Sequence, residues 1–305
     1  MLVGTKQIQM KKRGNMSAMT AAYLAAMAKS YSNQEGGIMI PADQLDQVVE
    51  IPLGFQPLGI SSRPSPDGAG DDVLIAAYFE PAICRALVTR DENGLHFNVD
   101  WIRGVNHGIQ SVRLFPDISQ PGGANRAQCV FWGPDGNVWV SRNGERDFYV
   151  LSPPDKPDGR WTLTSKVILP SDDKGDQIHA GHMDSDGVIY TIESTQSPDK
   201  WRRRYYERRD DRWLQAELGI CATLTYGLAK EPDGTVWTIS DFRSNNLAKG
   251  LYYENRLVVP DICGNGIAFL SDGSALVARY GQSYPGCFNG IPGALVYVPA
   301  AMLKV

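Results

Sequence analysis

Pro134-Asp135-Gly136-Asn137-Val138-Trp139-Val140 returns in outline three more times, as Asp186-Gly187-Val188-Ile189-Tyr190-Thr191, Pro232-Asp233-Gly234-Thr235-Val236-Trp237-Thr238 and Asp272-Gly273-Ser274-Ala275-Leu276-Val277. Each copy reads as a tight turn followed by a strand. Asp-Gly between apolar runs marks a hairpin, because glycine supplies the positive φ that such turns need. The turn glycines are 51, 47 and 39 residues apart, a spacing that suits four short strands per repeat.

Working outward from the turns, a strand of small residues precedes three of them: Ala180-Gly181-His182-Met183, Tyr226-Gly227-Leu228-Ala229 and Asn265-Gly266-Ile267-Ala268, with Leu58-Gly59-Ile60-Ser61 as an earlier copy. Glycine inside a strand marks a close backbone approach. These are the innermost strands of blades that converge on an axis. The pattern predicts an all-β fold, a β-propeller of five four-stranded blades.

In the first blade a stretched turn at Pro66-Asp67-Gly68 is followed by strands within Asp72 to Phe79 and Arg85 to Val99, the latter folded at Asn93-Gly94. In the third, outer strands flank Asp210-Asp211, and in the fourth Glu254-Asn255 joins Gly250–Tyr253 to a strand from Arg256. The last blade shows three strands, ending at Ala294 to Val298. Its fourth is expected from Gln47 to Leu53, which would close the ring by joining the chain's two ends and remove a free sheet edge. Residues 104 to 126 break the period, either as a loop over one face or as part of a sixth blade.

Ahead of the propeller, residues 1–43 read as an arm with an Ala-rich helix, leaving 44–305 as the propeller domain. Lys11-Lys12-Arg13 precedes the stretch from Met16 to Ala28, whose Ala26-Met27-Ala28 end has the small-x-small form of a signal-peptidase site. Ser17, Thr20 and Tyr23 interrupt its apolar character, which favours an uncleaved amphipathic helix and a cytoplasmic setting. A secreted or periplasmic setting goes with the cleaved alternative.

The 305 residues carry 43% hydrophobic side chains and a formal net charge of −4, enough for a full core and no global attraction to nucleic acid or anionic lipid. No run of eighteen apolar residues occurs. The five cysteines, Cys84, Cys129, Cys221, Cys263 and Cys287, make no metal-binding spacing and are odd in number. They read as buried thiols of a reducing compartment, with a Cys263–Cys287 disulfide open if their strands adjoin.

Asn265 to Gly273 (NGIAFLSDG) resembles the NHL-repeat and gluconolactonase-like propellers, and Pro134 to Trp139 (PDGNVW) is similar to virginiamycin B lyase-like repeats. The resemblance covers four blade segments and is one of fold. It implies an enzyme of the lactonase-like hydrolase or lyase kind, and a divalent metal such as calcium or magnesium held by Asn265 with carboxylates of other blades, Glu193 and Asp241. Those lactonases are usually six-bladed, and the places equivalent to Asn265 hold Tyr226 and Ala180 in this alignment.

The mouth opposite the Asp-Gly turns is the candidate site. The strand order brings His179, Tyr226 and Asn265 there from strand starts, and Glu80, Asn143, Glu193, Asp241 and Arg279 from strand ends, with His107 in the irregular segment above. Glu193 and Asp241 could serve as an acid/base pair or as hard oxygen ligands; structural pairing with Arg142, Arg243 or Arg279 is the alternative. His179 is suited to be a general base, while His182, three residues on, points to the other face of a regular strand. His179, Glu193, Asp241 and Arg279 are thus the catalytic candidates, and Glu80, Asn143, Tyr226 and His107 would contact substrate.

Trp201 to Arg209 (WRRRYYERR) interleaves basic and aromatic residues, but the two aspartates that follow make it an outer strand or partner-docking edge rather than a nucleic-acid site. Trp139 and Trp237, equivalent after the turn, read as packing. No G-x-S-x-G elbow, phosphate loop or H-E-x-x-H is present. Two readings follow: an enzyme acting on a small polar or cyclic substrate at the channel mouth, or a binding module that recognises a glycan or a protein partner, the latter through its arm.

Overall fold

In the computed structural model, residues 38–53, 55–78, 82–103, 127–142, 145–153, 161–171, 177–194, 201–221, 225–230, 236–240, 248–280 and 293–305 are described, with the side chains of 82, 100–103, 219–221, 225, 226 and 230 left aside. The helical arm and the 104–126 segment lie outside these residues.

The first blade holds β1 (Ile38–Pro41), β3 (Pro57–Pro64), β4 (Asp71–Ala77), β5 (Ala82–Asp91) and β6 (Gly94–Arg103), in the order β1-β6-β5-β4-β3. The second holds β7 (Ala127–Trp132), β8 (Val138–Arg142), β9 (Asp147–Ser152) and β10 (Thr162–Ile168). β11 (Gln177–Met183), β12 (Ile189–Ser194), β13 (Trp201–Arg209) and β14 (Arg212–Cys221) make the third. The fourth comprises β15 (Thr225–Lys230), β16 (Val236–Ser240), β17 (Gly250–Tyr253) and β18 (Arg256–Pro260). The fifth runs β19 (Gly266–Phe269), β20 (Ala275–Arg279), β21 (Ala294–Val298) and β2 (Val49–Pro52).

The expected closure is present, since β2 pairs antiparallel with β21 from Val49↔Tyr297 to Pro52↔Ala294. The innermost strands touch in a ring, β3 to β7, β11, β15, β19 and back to β3. This is a five-bladed propeller. One boundary differs from the sequence reading: β1 pairs with β6 across Ile38↔Phe97 to Pro41↔Gly94, so residues 38–43, grouped with the arm, lie on the first blade's sheet and its outer edge. The short Ile38-Met39-Ile40 run was too brief to register as a strand.

The Asp-Gly turns form as their composition requires. Gly136, Gly187 and Gly273 have φ of 82°, 80° and 82°, and Gly136 donates to Gly133 O at 3.0 Å. At the axis the demand is on space. A Cβ on Gly266 would stand 2.7 Å from Leu58 O and 2.9 Å from Ile60 N of the neighbouring blade, closer than real contacts allow.

The core consists of apolar slices between blades. Leu74, Val130, Val140, Tyr149 and Trp161 pack the first seam, and Phe131, Phe148, Ile189 and Tyr206 the second. Ala180, Ile192, Trp201 and Leu228 fill the third, and Trp237, Ile239, Leu251, Val277 and Val296 the fourth. The closing seam is more polar: the Asp71 carboxylate accepts the Ser271 hydroxyl at 2.6 Å and its N–H at 3.1 Å, and Arg90 pairs with Asp272.

Gly266→Ala should lower unfolding free energy by about 2–4 kcal/mol, because rigid backbone of the next blade must retreat. Gly68→Ala is the comparison: its φ is +74° with nothing within 4 Å of the new Cβ, so it should cost only the left-handed penalty of about 1–2 kcal/mol. Denaturant titration compares them, and equal losses would show that the axis is not crowded.

Candidate functional site at the channel mouth

The innermost strands share an irregularity at their mouth ends. The ladder slips between Pro57 and Ile60 in β3, Ala127 and Val130 in β7, Ile178 and Ala180 in β11, and Thr225 and Gly227 in β15. A β-bulge re-aims a side chain and adds local twist. Gln128, His179, Tyr226 and Asn265 each stand eight residues before Gly136, Gly187, Gly234 and Gly273, and in the first blade Leu58 takes this place, with Gly59 against Gln128 O.

That register corrects the alignment on small residues. His179, not Ala180, is the counterpart of Tyr226 and Asn265. β11 and β15 share the bulge, but Gly181 stands one residue nearer its turn glycine than Gly227 and Gly266 do, so lining up the strand glycines misplaces the strand start by one.

Gln128, which sequence reading missed, reaches across the seam to His179, its Nε2 lying 3.0 Å from Nδ1 and 3.4 Å from the His179 carbonyl oxygen. A carbonyl only accepts, so the amide presents its NH2 to both, and Nδ1 is the acceptor. The neutral ring therefore carries its proton on Nε2. Trp201, at the start of β13, stacks on the same ring with centroids 4.4 Å apart and planes 9° from parallel. Across the mouth, Tyr78 and Tyr280 follow β4 and β20 and meet edge to face at 5.3 Å beside Leu58.

Glu193 has a different setting. It is fully buried in the seam between the second and third blades, where Arg146 donates to its two oxygens at 2.8 and 3.3 Å and Arg204 donates at 2.9 Å. Tyr206 and Thr191 hydroxyls add bonds of 2.5 and 2.7 Å. Burial alone would raise its carboxyl, but the hydrogen bonds and charge of Arg146, with Tyr206 and Thr191, outweigh this and hold it below the ordinary value. Burial first, then Glu193, pushes Tyr206 upward. Cys129 nearby is pushed up to about 12 by burial, which keeps it a neutral thiol and no nucleophile.

The remaining candidates divide. Arg279 pairs with Glu50 on β2. Asn265 is buried, and its Oδ1 accepts the Tyr280 N–H at 3.3 Å. Tyr226 has its backbone in β15 and its side chain outside the described residues, as are Glu80, His107, Asn143 and Asp241. Of the catalytic set the structure brings His179 beside Gln128, while Glu193 faces the opposite side of its own blade's inner layer, towards Arg146.

The proposed metal ligands do not fit a divalent ion through Glu193, whose oxygens are taken by two guanidiniums that would repel it. Among the described residues, no three His, Cys, Asp or Glu side chains converge as a metal site.

No family model and no curated protein matches the sequence. Solved structures similar to the chain include the PQQ-bound aldose sugar dehydrogenase of Streptomyces coelicolor (15% identity, TM-score 0.42, covering 79% of this chain and 80% of that one). A streptogramin B lyase is 13% identical at TM-score 0.35, covering 82% and 97%. The periplasmic gluconolactonase of Pseudomonas aeruginosa is 12% identical at TM-score 0.35, over 80% of this chain and 57% of that one. The resemblance to gluconolactonase-like and lyase propellers is one of fold, and the fold rests on the strand pairing itself.

Removing Glu193 as Ala should cost about 3–5 kcal/mol, because two buried guanidiniums lose their counter-charge. Its depressed carboxyl contributes stability that is present above the unfolded-state value of about 4.3 and lost as pH falls through the lower folded value. Glu193→Gln should therefore be less stable than wild type at neutral pH, with a shallower fall between about pH 5 and 3. Thermal melts across that range test it; parallel curves would remove Glu193 from the acid response.

Proposed function

We propose that the chain is a propeller enzyme acting on a small polar or cyclic substrate at the channel mouth, as a lactonase-like hydrolase or a lyase. The observation that carries this reading is the bulge repeated at one level in four innermost strands, which sets His179 beside Gln128 and against Trp201. A reactive group needs its ring fixed in one tautomer, and Gln128 does that.

His179 then enters as a hydrogen-bond donor, since a neutral ring that gave up its Nε2 proton would be left as an imidazolate. In lactone hydrolysis Nε2–H bonds to the carbonyl oxygen as water adds to its carbon, and the water's spare proton passes through solvent to the departing ring oxygen as the C–O bond breaks. In an elimination the same bond steadies charge on the leaving oxygen, while the proton of the neighbouring C–H passes to solvent and one from solvent goes to the leaving group. The Tyr78–Tyr280 pair offers an apolar wall for the substrate's ring. Glu193, held by Arg146 and Arg204, does not offer its oxygens to a calcium or magnesium ion.

A second reading has its own support. Glu193, Arg279 and Asn265 all have partners, as a non-catalytic module would have, and such a mouth with aromatic walls could hold a glycan. Docking of a protein through the arm and a cytoplasmic setting remain part of the proposal.

The test is turnover of δ-gluconolactone and a panel of small lactones by the full chain. His179→Ala should lower kcat/KM by about 100-fold or more, and Gln128→Ala by about tenfold through a lower kcat, with both variants folded by circular dichroism. Absence of turnover by wild type, together with monosaccharide binding that Trp201→Ala abolishes, would replace the enzyme with the glycan-binding module.

A further inference from the structure

On the face that carries the Asp-Gly turns, opposite the mouth, the second and third blades leave a cleft of about 440 Å³ lined by Trp139, Met183, Asp186, Glu207, Arg208 and Trp213, with Asp135 at its rim. Its outer wall is an overhang. β12 supports β13 only from Ser194↔Trp201 to Ile189↔Tyr206, whereas β13 and β14 go on pairing to Arg209↔Arg212. Glu207, Arg208 and Trp213 therefore stand beyond the ladder that holds the rest of the blade.

The fourth blade shows what the same position does without an overhang. There Trp237, three residues after its turn glycine like Trp139, is fully buried against Tyr253 and Phe269. Trp139 is instead only partly buried and meets Trp213 edge to face at 6.2 Å and 81°. Two indoles at right angles make a corner. The reading of Trp139 as packing alone accounts for its contacts with Phe131 and Phe148 but not for this open face.

The charge of the lining selects among occupants. Glu207 and Arg208 are each paired, with Arg209 at 2.9 Å and with Asp211 at 3.7 Å, which leaves Asp135 and Asp186 to set a negative field in the lining. A metal ion would need these carboxylates to converge, and among the described residues no such group of three does. A cation that carries its own apolar substituents needs no such convergence, since it gains from indole faces and from a negative field without directional bonds.

We propose that this cleft binds a small organic cation of the alkylated ammonium class, its cationic head in the Trp139–Trp213 corner and its charge balanced by Asp186 and Asp135. The cleft volume suits a small molecule. The proposal is independent of the chemistry at the mouth, which lies on the other face.

The test uses the full chain titrated with choline, with tetramethylammonium, and with 3,3-dimethylbutan-1-ol, the uncharged counterpart of choline, read by tryptophan fluorescence and calorimetry. The expected result is saturable binding of both cations, weaker binding of the alcohol by about tenfold or more, and a decline with added salt. Trp213→Ala, at an exposed hairpin, should abolish it, and Asp186→Asn, at a turn tip where folding is not at stake, should weaken it about three- to tenfold. No saturable cation binding, equal binding of the alcohol, or cation binding unchanged in both variants would overturn the proposal.

Discussion

The structure depends on one steric constraint: five innermost strands must run side by side around an axis too narrow for side chains between their backbones. Gly266 lies against Leu58 and Ile60, Gly59 against Gln128 and Cys129, and Gly227 against Gly266. Crowding at this level leaves no place for reactive groups. The bulges one step closer to the mouth relieve it, because an extra residue increases twist and lets each strand splay from the axis. Larger side chains, Leu58, Gln128 and His179, occupy those positions. The candidate site is thus a product of the packing beneath it.

Buried charge takes a repeated form. Asp72, fully buried, meets Arg85 at 2.8 Å and Arg63 at 3.5 Å, and Glu193 meets Arg146 and Arg204 in the next seam. One carboxylate faces two guanidiniums in each case. Such clusters add little net stability compared with apolar packing, but losing one member strands the others. The Glu193 cluster spans two blades through Arg146, whereas Asp72, Arg63 and Arg85 all belong to the first blade and meet the second through Trp132, whose Nε1–H donates to the Asp72 carbonyl at 3.1 Å and whose ring lies 3.6 Å from the Arg63 guanidinium.

Sequence reading succeeded where structure is local. Asp-Gly turns need only four residues to declare themselves, and the closure of β2 on β21 followed from counting an incomplete blade. It was less successful where the partner is distant. Glu193 was read as a ligand or a catalytic acid because a carboxylate at a strand end invites that reading; Arg146 and Arg204, 47 and 11 residues away, become its neighbours only after the second and third blades pack. Gln128 was overlooked because its strand lacks the small-residue pattern that marked the others, and its relation to His179 exists only through a shared bulge. The Trp201–Arg209 run reads in sequence as an outer strand or docking edge, yet β13 lies between β12 and β14, and its pleat turns Arg204 inward to Glu193, with 1% of it exposed.

That pleat also explains how one strand serves two faces. β13 begins at Trp201, stacked on His179 near the mouth, and ends in the overhang that walls the turn-side cleft. Midway, Arg204 and Tyr206 are bound to Glu193. Communication between the ends would need an element with two arrangements of similar energy. The Glu193 cluster offers none, since shifting β13 along its length would break several charge-assisted bonds in a buried seam at once. The pinned middle of β13 therefore insulates the mouth from the cleft, and each face can change its ligand chemistry without disturbing the other.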